Sequence, residues 1–289
     1  MFSRQMSFGG SWYPADRADC ERQILSFQNE PLPAGTGGGD SGGRVSLGVV
    51  PHAGWMFSGR LAARVFQTLP RQQEVDLVVV LGGHLRETDP VVAMTEGQWE
   101  TPFGPFRMHT PFQPLLESLP AVLLEDERQC HDDNSVELQL PFARYHFPRA
   151  ELLTLRVPPS AVAQRVGELL DEYLRSSALN AVLLGSTDLT HYGPNYHFEP
   201  QGQGQQALEW VRRENDPAFI SAVESVSEDR ILDTARQRHN ACSPGAVAAL
   251  CRVASREGLS FRTLDYSTSH DIMPGDFRNF VGYVGGVFA

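Results

Sequence analysis

Four short apolar runs constrain this chain more than any other feature. Residues 45–50, 75–81, 152–157 and 181–184 are rich in Val and Leu and bounded by turn-forming residues. Runs of that length fit strands and are too short for helices, and their lack of apolar–polar alternation means that both faces are buried. Helical patterns lie between them. Ser58 is placed to cap a helix to about Leu69, with Leu61, Val65 and Leu69 on one face. Ser160 opens an amphipathic stretch carrying Val162, Val166, Leu169, Leu170, Tyr173 and Leu174. Asn134 with Glu137 reads as a capping box. Asp216-Pro217 and Ser243-Pro244 each read as an N-cap followed by proline at the first helical position. Strand–helix alternation predicts an α/β fold, a single three-layer α/β/α domain over residues 1–289 with a largely parallel central sheet. Residues 91–94 and 261–266 would add antiparallel strands and make that sheet mixed, and residues 280–288 read as a closing strand that tolerates glycine. Residues 31–43, six of them Gly, are expected to form a flexible loop, too near the start of the chain to divide two domains.

Composition removes several function classes. The net charge of −11 argues against nucleic acid and against an anionic membrane surface. All 24 basic residues are Arg. Without Lys, no Schiff base and no Walker-A phosphate site can be built. Four cysteines, Cys20, Cys130, Cys242 and Cys251, lack disulfide or zinc-finger spacing and fit a reducing compartment. No signal peptide and no membrane-length apolar run is seen, so a cytoplasmic protein is expected.

In open α/β sheets, ligands bind beyond the carboxyl ends of the strands. Here the first run leads into Pro51-His52-Ala53-Gly54-Trp55, the second into Gly82-Gly83-His84, and the last into Asp188-Leu189-Thr190-His191-Tyr192. Strand ends thus deliver histidine to one edge repeatedly, which points to a shared site at His52, His84 and the Asp188–His191 pair. Cys242 sits immediately before a helix start, where unpaired N–H groups and the helix dipole favour thiolate. Thiolate is both a nucleophile and a metal ligand. Cys251 shares an apolar helix face with Val247, Leu250 and Ala254 and is expected in the core.

These residues resemble the Memo family, the protein B of the AmmeMemoRadiSam gene group. The resemblance runs from Gly10-Ser11-Trp12-Tyr13-Pro14 through Pro51-His52-Ala53-Gly54, Gly83-His84, Asp188 to Gly193 and Asn240-Ala241-Cys242 to Gly282-Tyr283. It implies a fold similar to the LigB-type class III extradiol dioxygenases. It also implies a metal site of two histidines and one cysteine, carried here by His52, His84 and Cys242, with iron first and copper or zinc as alternatives. Asp188 and His191 would line the same pocket as catalytic residues, with Trp12, Tyr13 and Trp55 walling it against substrate. The gene group implies a functional link to a radical SAM protein and an AMMECR1-like protein. Three positions depart from the family pattern: Asn134 replaces a histidine, Ser243 replaces the glycine after the cysteine, and His270 replaces a glycine.

The leading expectation is a non-haem metal-dependent redox enzyme with a dioxygenase-like site. A metal-free hydrolase or amidase would instead use Cys242 as nucleophile, His191 as base and Asp188 as its orienter. A non-catalytic module would bind phosphorylated peptides through Arg side chains.

Overall fold

The computed structural model describes residues 2–30, 45–69, 75–275 and 277–289. The glycine-rich segment 31–43 lies outside the described residues.

The four apolar runs form β1 (Val45–Val50), β2 (Leu77–Gly82), β5 (Glu151–Arg156) and β6 (Ala181–Ser186). The remaining strands of their sheet are β3 (Val91–Met94), β4 (Val122–Leu124), β7 (His191–Tyr192), β8 (Phe261–Thr268) and β9 (Phe280–Phe288). The order is β7-β9-β1-β6-β2-β5-β3-β4, and β8 also pairs with β9. The four central strands β1, β6, β2 and β5 are mutually parallel. Antiparallel pairing joins β3 to β5, and joins β9 to β1, β7 and β8. The sheet is therefore mixed around a parallel centre, so the carboxyl ends of all four central strands open on one edge.

The alternating pleat splits each central strand between two apolar cores. Val78 and Val80 of β2 pack with Ile24 of α1 (Arg17–Gln28), Val65 and Phe66 of α2 (Trp55–Thr68), and Phe142 of α4 (Leu140–His146). Leu77, Val79 and Leu81 pack with Val166 of α5 (Ala161–Ser177), Phe219 of α6 (Asp216–Glu224), Ile231 of α7 (Glu228–Arg238) and Val247 of α8 (Pro244–Glu257). Helices cover both faces, giving three α/β/α layers. Ser160 caps α5 by accepting from Val162 N, and Pro244 opens α8. Gly245 lets that opening turn reach the end of β5, because a Cβ there would stand 2.3 Å from Val157 O.

Three helix starts differ from the sequence expectation. Ser58 is no cap but lies inside α2, which begins at Trp55 after Gly54, and its hydroxyl donates to Ala53 O. Asp133, not Asn134, caps the short α3 (Asn134–Glu137), and the Glu137 carboxylate accepts from Ser7 N, Phe8 N and Tyr13 Oη instead. Nor is Asp216 an N-cap. The helical path enters it through a wide turn at Val211–Asn215, and its buried carboxylate accepts from Thr190 N and Tyr266 Oη. The N-terminal segment claims the first carboxylate, and the Thr190 loop with β8 claims the second.

Candidate metal centre

His52 leaves the end of β1 fully buried. Its main-chain N–H donates to Asp188 Oδ1 (2.7 Å), and its ring Nδ1 lies 3.0 Å from Ser186 Oγ. The other ring nitrogen, Nε2, lies 3.1 Å from Cys242 Sγ. His84 follows β2 through Gly83, whose φ of +107° suits glycine. A Cβ at Gly83 would stand 2.7 Å from the Arg156 side chain, while its N–H donates to Ser135 Oγ (2.7 Å). His84 is therefore held against the end of β5 by backbone geometry. The His52 and His84 rings meet edge to face, centroids 4.9 Å apart.

Cys242 precedes α8 and is tied to the loop after β6 from both sides. Its N–H donates to Asp188 O, the Asp188 N–H donates to Cys242 Sγ (3.2 Å), and Ser243 N donates to Thr187 Oγ1. One donor atom from each of His52, His84 and Cys242 lies within 4.8 Å of the others. Asn134 bridges the two histidine loops: its Nδ2 donates to His52 O (3.1 Å) and its Oδ1 lies 3.1 Å from His84 Nε2.

Electrostatics favour the charged forms despite burial. Burial alone would raise the Cys242 thiol, but the His52 imidazole beside it, then His84, hold it well below the ordinary thiol range. Burial alone would lower His84, yet the Cys242 thiolate, with Asp133 and Asn134, raises it to about 9. His52 is raised against its burial by Cys242 and Asp188. Burial resists charge on Asp188 as well, but His52 and His191 keep it below the usual carboxylate range.

His191 Nε2 stands 3.8 Å from Asp188 Oδ2, and its ring stacks on Tyr196 at 4.9 Å. Burial opposes protonation of His191, and the Asp188 and Cys242 charges outweigh it and raise its pKa. Both residues open on a cavity of about 450 Å³, together with His52, His84, Trp12, Met56 and Tyr283.

The structure thus brings together His52, His84, Cys242, Asp188 and His191, and puts Trp12 on the cavity wall. Tyr13 and Trp55 are not on that wall. Tyr13 is buried, with its hydroxyl on Glu137, and Trp55 is buried against Phe142 with its Nε1–H donating to Leu138 O. α2 begins at Trp55, and this side chain packs into the core against Phe142 of α4. Cys251 lies in the core as expected, and His239 ends α7 in a left-handed turn against Phe198. Sequence reading missed Met56, Phe57, Tyr196, Val281 and Tyr283. The last two arrive through the pairing of His191 with Val281, for which the Gly282-Tyr283 element was the one sequence signal.

Imidazole and thiolate donors suit iron, copper or zinc, whereas magnesium and calcium require oxygen ligands. The donor set present therefore fits a transition metal.

Comparison with known proteins identifies the family but names no metal. The family model described as Memo-like protein matches residues 4–287. A MEMO1 family protein of Methanopyrus kandleri is 30% identical over 292 residues, covering 99% of this chain and 98% of the relative. Another from Thermococcus onnurineus is 27% identical, covering 99% of each. An uncharacterized Escherichia coli K12 protein of known crystal structure shares the fold with a TM-score of 0.52 at 16% identity, covering 84% of this chain and 99% of that one. With its whole length matched and the strand-end site in place, the chain belongs to the Memo family.

Proposed function

We propose that this protein is a non-haem metal-dependent redox enzyme with a dioxygenase-like site. The observation that carries the reading is the convergence of His52, His84 and Cys242 donor atoms beside an Asp188–His191 pair, with both histidines of the cluster and the pair lining one open cavity. His52, His84 and Cys242 would hold the metal, with iron the first choice and copper or zinc the alternatives. A metal so held would supply a Lewis-acidic, redox-capable centre with room for a substrate oxygen.

The chain's own residues do the rest. Ser186 Oγ engages His52 Nδ1 and so leaves Nε2 toward the site. Asp188 serves two histidines at once, accepting from His52 N through Oδ1 and pairing with His191 through Oδ2. His191 is raised toward its protonated form and opens on the cavity, so it would give a proton to substrate and take it back. The stacked Tyr196 ring fixes the imidazole plane during that exchange.

The two other readings have less support. Among the described residues, Cys242 Sγ has His52 Nε2, Asp188 N, Thr187 Oγ1 and Ser243 Oγ as hydrogen-bond partners, and His191 is not among them. A Cys242–His191–Asp188 nucleophile triad lacks that contact. A phosphopeptide module would need Arg side chains in the cavity, and none of the described Arg residues lines it.

The test is metal analysis after anaerobic purification of the wild type and Cys242→Ala. About one transition metal per wild-type chain is expected, with at least tenfold loss in the variant. Absence of metal from the wild type, or equal loading of the variant, overturns the reading.

A further inference from the structure

A second cavity, of about 250 Å³, adjoins the first. The two share Phe57, Tyr196, Val281 and Tyr283 as a common wall. Beyond that wall the second cavity is lined by Met273 and by His270, whose ring packs on Phe277 with centroids 4.4 Å apart. No Arg, Asp or Glu is among the described residues that line it. Six large hydrophobic side chains are exposed among the described residues, and four of them (Trp12, Met56, Tyr196 and Met273) line these two cavities. Exposed apolar groups gathered in one place mark a binding surface, and methionine adapts its shape to what it covers.

We propose that the substrate spans both cavities, its polar head in the metal-site cavity and an uncharged planar ring in the second. Tyr196, Tyr283 and Met273 would receive the ring. Tyr196 lines both cavities and stacks on His191, so occupancy of the outer subsite bears directly on the residue assigned to proton transfer. An anionic group on the ring is disfavoured because, among the described residues, no Arg lines the second cavity to offset its desolvation. His270, at a position where the resembled family pattern has glycine, gives this chain a side chain in the outer subsite. The role of the head rests on the metal-dependent reading; the ring subsite rests on the second cavity alone.

Met273 lines the second cavity and Met56 the first, so their methyl groups report on the two separately. Metal-free protein labelled with 13C at the methionine methyls would be titrated with 2-naphthol and with 6-hydroxynaphthalene-2-sulfonate, which carries its charge at the far end of the ring. The Met273 resonance should move with 2-naphthol, and the sulfonate should bind at least tenfold more weakly. Met273→Glu, a change at an exposed position, should weaken 2-naphthol at least tenfold by ligand-observed NMR. Movement of Met56 alone, movement of neither, or equal binding of the sulfonate overturns the proposal. In zinc-loaded protein, 4-phenylbenzohydroxamate should bind at least tenfold tighter than acetohydroxamate. A gain below threefold overturns the subsite. Failure of acetohydroxamate to bind at all strikes the metal reading instead, and the naphthol titration then decides the subsite.

Discussion

Ionisation of Cys242 depends on His52, and this dependence can be measured one thiol at a time. Burial raises Cys20 to about 12, and burial first of all raises Cys130 and Cys251 too, so these three are protonated at neutral pH. Cys242 moves the other way because His52 Nε2 stands 3.1 Å from its sulfur, with His84 beyond. A unit-charge pair at that separation is worth ~5 kcal/mol at an effective dielectric constant of about 20. Desolvation offsets part of this, and pairing of this kind shifts a pKa by roughly 1–3 units. A depressed thiol pKa means thiolate above that pKa and its loss as pH falls through it. The imidazoles have raised pKa values, so their charge is lost as pH rises, for His84 through about 9. The thiolate–imidazolium pair therefore occupies the window between the depressed thiol and about 9. Metal-free protein titrated by thiolate absorbance near 240 nm should show one thiolate of four at pH 7. His52→Asn should move that titration up by roughly 1–3 units, and Cys242→Ala should abolish it. A wild type without thiolate at pH 7, or a His52→Asn curve that overlays the wild type, would refute the reasoning.

Three further outcomes follow from the same geometry. Gly83→Ala places a side chain at φ +107° and 2.7 Å from Arg156 Cβ, so it should cost ~2–4 kcal/mol in urea unfolding and weaken metal binding through His84; a loss under about 1 kcal/mol would contradict the strain argument. Tyr13→Phe removes one donor from the buried Glu137 carboxylate and should cost roughly 1–3 kcal/mol of stability while leaving metal stoichiometry unchanged, whereas a change in stoichiometry would place Tyr13 in the site after all. Asp188→Asn removes the charge that raises His191, so the His191 imidazole titration, followed by NMR, should fall toward or below its ordinary value of about 6.5; an unmoved titration would separate the two residues.

The strand-end residues were legible because the parallel centre of the sheet converts sequence position into spatial position. Once β1, β2 and β6 run side by side in one direction, His52, His84 and Asp188 must emerge together. Cys242 was legible for a different reason, the local chemistry of a helix start. Trp55 was misplaced because adjacency to His52 in sequence says nothing about which way the first turn of α2 points. Glu137 and Asp216 looked like local capping residues, yet one accepts from the N-terminal segment and the other from the loop that carries His191. Tyr196, Val281 and Met273 could not be found by local pattern, since they reach the cavity through the β7–β9 pairing and the turn and loop beside it.

Charge balance ties the metal reading to the metal-free titration. Cys242 as thiolate and Asp188 as carboxylate place two negative charges in a largely buried space. Without metal, protonated imidazoles at His52, His84 and His191 are what offsets them, which is why all three rise against their own burial. A divalent cation would take over that task, and His52 and His84 can ligate only after losing a proton. Metal and protons thus compete for the same nitrogen atoms. His191 differs, because its partner is Asp188 and its ring stacks on Tyr196, outside the three-residue cluster. It can keep its proton when the other two give theirs up. That division among three neighbouring histidines would equip one open cavity both to hold a cation and to transfer a proton.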